Sequence, residues 1–147
     1  MKLLYILLAF LIGVLVPFQA IVNSRLANFI QSNITAAFIS FSGGFLIFLT
    51  IVMLSPAPFP TWSKLSSLPP YVYIGGIIGS VFVLSAIILV PKLGSTGFVG
   101  LVVAGQLCIS LILDHFGFLG LPVNPVGMAR IFGAILLACG ATLILNY

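Results

Sequence analysis

The chain has 147 residues, of which 62% are hydrophobic and only 4% charged, five basic side chains standing against one acidic one. A mean hydropathy of +1.39 excludes an ordinary soluble globular protein. The basic residues, Lys2, Arg25, Lys64, Lys92 and Arg130, are too scattered to form the cluster that nucleic acid binding requires. Bilayer is the solvent that fits this composition, so membrane lipids are partners and nucleic acid is not.

Five apolar stretches fill almost the whole sequence: Leu3 to Val22, Ile34 to Leu54, Tyr71 to Val90, Gly97 to Phe118 and Val126 to Tyr147. Each is close to the roughly 20 residues a helix needs to cross a ~30 Å hydrocarbon layer. Lipid cannot satisfy backbone polar groups, and the alternation of a barrel strand is absent, so the expected fold is all-α, one domain of five transmembrane helices. The first stretch follows Lys2 but runs past signal-peptide length without a clean small-x-small cleavage site, so it is expected to stay in the mature protein. Within it, Pro17 should kink the helix just before the polar residues Gln19, Asn23 and Arg25. Gln19 and Asn23 lie one turn apart and suit either a bound solute or a neighbouring helix.

The second stretch opens near Thr35 and carries Ser40, Ser42, Gly43 and Gly44, small enough for another backbone to approach. Asn33-Ile34-Thr35 matches a glycosylation acceptor, a pattern that means little without a secretory context. Five prolines punctuate Ser55 to Pro70, and Trp62 and Lys64 there suit the headgroup region. The third stretch begins with the interface anchors Tyr71 and Tyr73 and presents Gly75, Gly76, Gly79 and Ser80. Pro91 to Ser95 reads as a tight turn, which would make stretches three and four antiparallel neighbours.

In the fourth stretch Gln106, Ser110 and Asp114 recur every four residues and form a polar stripe on one helix face. Asp114 is the only side-chain carboxylate, and a charge at membrane depth costs about 2.5–3.5 kcal/mol unless it is paired, hydrated or neutralised. It serves either as a proton acceptor or substrate counter-charge, with Gln106 and Ser110 continuing the path, or as a capping or pairing group at the water interface. His115 lies about 100° round the helix and has the same two readings, proton coupling or an interfacial hydrogen bond. Arg130 of the same chain and Arg25 of an oppositely oriented partner compete to pair with Asp114. The last stretch carries Gly133, Ala134, Ala138, Gly140 and Ala141, a small face for a dimer interface or for packing within the subunit. Cys108 and Cys139 read as small apolar fillers. No spacing suggests a metal, a cofactor or a redox centre, and no nucleophile motif, HExxH or phosphate-binding loop suggests an enzyme.

With five spans, Lys2, Lys64 and Arg130 fall on one side of the membrane and Arg25 and Lys92 on the other. The positive-inside rule then has a bias of about one residue to act on. Such balance suits dual topology, in which copies insert both ways up and pair antiparallel; a fixed orientation set by Lys2 and the N-terminal amine is the alternative. Secondary transporters often place a midplane site between inverted units of this kind.

The segments PFQAIVNSRL, AAFISFSGG, YIGGIIGSVFVL and VAGQLCISLILDHFGFLG, with GxxLLxxG spacing at the end, together resemble the YdcZ family. These are five-helix, half-size members of the drug/metabolite transporter superfamily, and the likeness runs over essentially the whole chain. The resemblance implies a bacterial cytoplasmic (inner) membrane location and two antiparallel five-helix units forming a ten-helix assembly, as a homodimer or with a related partner chain. The expected function is secondary transport of a small organic solute, with protons as a candidate coupling ion. A non-transporting partner subunit of a larger membrane complex is the rival reading.

Overall fold

Helix is the only way for a long apolar segment to close its own backbone hydrogen bonds, and every such segment is helical in the computed structural model, which describes residues 2–146. Five α-helices follow in chain order: α1 (Lys2–Ile30), α2 (Asn33–Leu54), α3 (Trp62–Ser66), α4 (Ile74–Phe116) and α5 (Met128–Asn146). Short 3-10 turns occupy Pro70–Tyr73 and Phe118–Gly120, and no strand occurs among the described residues. Tyr147, the expected end of the last span, lies outside them.

Three boundaries differ from those expected. The first helix does not stop near Val22: α1 runs 29 residues and carries Asn23 and Arg25 within its length. Its end is a Schellman arrangement, in which the Ser32 N–H donates to the Ala27 carbonyl at 3.1 Å while Gln31 sits at φ 54°. Ser32 then caps α2, its hydroxyl accepting from the Thr35 N–H at 3.2 Å, so two residues suffice to join the helices. The stretch Ser55 to Pro70 is not plain loop, since it holds α3, onto whose Leu65 carbonyl the Tyr73 hydroxyl donates at 2.7 Å.

The third concerns Pro91 to Ser95, where the expected turn is narrower: helix reaches through Pro91, and two lengths of helix meet at a break at Gly94, whose φ of 71° and ψ of 157° glycine adopts without penalty. At about 1.5 Å per residue the 43 residues of α4 would extend roughly 65 Å, twice the hydrocarbon thickness. Four helical stretches are long and apolar enough to cross a membrane, and the break at Gly94 divides the longest of them into two lengths of helix.

Residues 18–88 and the remainder, 1–17 with 89–147, form two compact units. In residues 18–88 the core is a small cluster of Ala27, Ala36, Val83 and Ile87, flanked by Leu26, Ala37 and Phe82. In the other unit α4 and α5 meet through small residues. A Cβ on Gly100 would lie 3.3 Å from the Ala141 Cβ, and one on Gly97 would lie 2.7 Å from Leu145 Cδ2. Most large apolar side chains lie outside these contacts, Phe29, Leu54 and Met128 each at least 80% exposed. That is the surface a hydrocarbon solvent or a second chain covers.

Candidate functional site

Gly117, at φ 63°, ends α4 by turning the chain left-handed. A Cβ there would meet Val123 Cγ2 at 2.7 Å and the Leu121 carbonyl oxygen at 3.0 Å, so the turn demands glycine on both counts. The loop that follows folds back onto the helix end. The Asn124 N–H donates to the Asp114 carbonyl at 2.8 Å, and the Val126 N–H donates to His115 Nδ1 at 3.1 Å. Arg130 closes the ring: Nη2 donates to Asp114 Oδ2 at 3.0 Å, and Nη1 donates to the Asn124 carbonyl at 3.3 Å.

Each charge in this ring sits at the helix end that disfavours it. Asp114 is in the last turn of α4, where unpaired carbonyls present partial negative charge, and Arg130 is in the first turn of α5, where N–H groups present partial positive charge. Pairing answers both conflicts at once. Of the two partners open to Asp114 from sequence, Arg130 holds it within the chain, and Arg25 is exposed on α1. The ion pair is about one third exposed on each side chain, intermediate between surface and core.

His115 accepts through Nδ1, so in the neutral ring the proton is on Nε2. Its ring makes an edge contact with Phe116 at a centroid separation of 4.8 Å. It also lines a groove of about 340 Å³ with Cys108, Ile112, Val126 and Ile131. Gln106 and Ser110, the rest of the polar stripe, are exposed on α4 and do not line that groove. In residues 18–88, Gln19 is exposed, whereas Asn23 and its neighbour Ser24 are buried, each 7% exposed. No group of three or more His, Cys, Asp or Glu residues gathers among the described residues.

The small face of α5 divides in two. Ala134 and Ala141, seven residues apart, are buried, and Ala141 packs against Gly100 of α4. Ala138 is half-buried. Gly133 and Gly140, also seven apart, have nothing within 4 Å of where a Cβ would stand.

The structure adds Gly117, Asn124 and Val126 to the residues singled out from sequence. Gly117 has the residue type of a helix stop, although the expected stretch runs past it to Phe118, whereas Asn124 and Val126 act through backbone groups and leave no trace in residue type. Gly117→Ala combines positive φ with a steric overlap, so it should cost about 2 kcal/mol or more and loosen the loop. Faster proteolysis between residues 117 and 127 in the variant is the expected readout, and protection equal to that of the parent would refute the locking role.

Three comparisons with known proteins complete the description. Residues 4–143 match the family model described as "Putative inner membrane exporter, YdcZ". The chain is 30% identical over 139 residues to the inner membrane protein YdcZ of Escherichia coli strain K12, covering 93% of each chain. No solved structure matches it.

Proposed function

This chain belongs to the YdcZ family and is an integral protein of the bacterial inner membrane, and from that premise we propose that it is a secondary transporter of small organic solutes. The observation that carries this reading is the match to an exporter family over residues 4–143. Transport, rather than bond-making chemistry, is the work proposed for it.

The assembly we assign to it is an antiparallel pair of five-helix units alternating access to a site near the bilayer midplane. Support comes from the near balance of basic residues across the five spans and from Gly133 and Gly140, where nothing lies within 4 Å of an added Cβ. Homodimerisation and pairing with a related chain both satisfy these features. A reporter fused to the C-terminus separates them: comparable signal on both membrane faces is expected, and two added lysines near either end should force one orientation. A parent reporter confined to one face would eliminate dual insertion and require an oppositely oriented partner chain.

The direct test of function is uptake into liposomes reconstituted with the purified protein, using solutes drawn from a thermal-shift library. Saturable, protein-dependent uptake of at least one binder is the expected result. A well-folded protein that binds library solutes yet moves none of them would instead support the role of a partner subunit.

A further inference from the structure

We infer that α3 and the turn after it form a foot that rests on an anionic phospholipid surface, with Trp62 and Leu65 in the acyl region and Lys64 among the phosphates. Its place follows from its neighbours in the chain. Both α2, which ends at Leu54, and the helical stretch that leads into α4 are long and apolar enough to cross a bilayer. Residues 55–73, which join them, therefore lie at one membrane surface whichever way the chain is inserted. Five prolines in this segment lack an N–H, and the Ser55 hydroxyl accepts from the Ala57 N–H at 3.2 Å, which lowers the cost of leaving bulk water.

Within α3 the helical repeat sorts residues by polarity. Trp62, Leu65 and Ser66 line a hollow of about 390 Å³ with Leu68, Pro70 and Tyr73. The Tyr73 hydroxyl, donating to the Leu65 carbonyl at 2.7 Å, holds α3 beside the turn that leads into α4. Lys64 is about 160° round the helix from Trp62 and does not line the hollow. An apolar edge opposite a long cationic side chain is the arrangement of a helix lying in the interface. Trp62 is 81% exposed, and headgroup level is where an indole finds both an apolar body's environment and a polar one. The charge then selects the lipid. Lys64 is exposed and is the only charged side chain between Arg25 and Lys92, and the one acidic side chain of the protein, Asp114, is held by Arg130. No acidic side chain answers Lys64; a phospholipid of net negative charge does. The foot is independent of the transporter reading and requires only the membrane location of the chain.

Trp62 is the single tryptophan, so intrinsic fluorescence reports on α3 alone. The protein is reconstituted in vesicles of equal parts phosphatidylglycerol and phosphatidylcholine, with bromine on the acyl chains of one lipid or the other. Brominated phosphatidylglycerol should quench Trp62 more than brominated phosphatidylcholine, to the extent of a local enrichment of up to about fivefold, the effect of one lysine near an anionic surface. The excess should vanish in Lys64→Gln. It should also fall when salt is raised from about 0.1 to 1 M, which shortens the screening length from about 10 to 3 Å. Equal quenching by both lipids in the parent, or an excess indifferent to salt or to Lys64→Gln, would overturn the assignment to an anionic surface. Trp62 unquenched by either lipid, with the red-shifted emission of an indole in water, would take α3 off the membrane altogether. The salt series on the parent carries the test even if the variant reconstitutes poorly.

Discussion

Arg130→Ala is expected to destabilise the protein by about 1–3 kcal/mol, between the cost of breaking an exposed ion pair and a buried one, because each partner is about one third exposed. The loss has two parts. Asp114 keeps its charge beside the carbonyl end of α4 with no cation to answer it. Asn124 loses the guanidinium donor at its carbonyl, and the loop then depends on its two backbone anchors to Asp114 and His115. Asp114→Asn should cost less, since a carboxamide oxygen still accepts from Arg130 and the helix end no longer faces a like charge. The double variant separates pairing from two independent contributions. If the pair is the unit, Asp114→Asn partly rescues Arg130→Ala, and the double variant melts above the Arg130→Ala single. Additive losses in thermal melts of the four proteins would show that Arg130 acts elsewhere.

The same series bears on coupling. Under the proposed transport, an Asp114→Asn protein that folds well but has lost pH-gradient-driven uptake would identify the carboxylate as the proton carrier. Undiminished uptake would leave His115, another ion or facilitated diffusion. The ion pair with Arg130 gives the carboxylate a structural task as well, so stability and uptake have to be read from the same preparation.

The spans were legible because lipid enforces them: a backbone that cannot bond to solvent must bond to itself, and hydropathy reads that directly. The break expected over Pro91 to Ser95 falls at Gly94, where a φ of 71° takes the chain out of helical geometry between two lengths of helix, while Pro91 itself stays within helix. The end of α1 was hidden because Gln31 is not a residue that announces a left-handed C-terminus, and the Schellman bond is made by backbone alone. At the candidate site the sequence supplied Asp114, His115 and Arg130 but left Asp114 with two possible partners. Only the path of residues 117–127, set by Gly117 and by backbone donors, brings Arg130 to it.

The division of the α5 face also lay beyond sequence, because neighbouring residues differ by about 100° around a helix and composition does not say which direction faces the chain's own α4. It makes the second large effect predictable. Gly100→Leu adds a side chain where even a Cβ would stand 3.3 Å from the Ala141 Cβ and 3.5 Å from its Cα. Ala141 is only 4% exposed, and the helices must separate to admit the new side chain, at a cost of about 1–3 kcal/mol. Gly133→Leu and Gly140→Leu meet nothing within 4 Å at the Cβ position, so the subunit's own stability should hold. Under the proposed pairing of subunits the expected pattern is therefore crossed: Gly100→Leu lowers the melting temperature of the isolated subunit, whereas Gly133→Leu and Gly140→Leu leave it and reduce the fraction of the proposed dimer by crosslinking or size-exclusion with light scattering. All three changes are apolar, so membrane insertion should be intact throughout. Dimers undiminished in both α5 variants would move the interface to other open glycines, Gly43 and Gly44 on α2 or Gly75 and Gly76 on α4. A melting temperature that falls as far in Gly140→Leu as in Gly100→Leu would instead make the whole small face of α5 an internal packing surface.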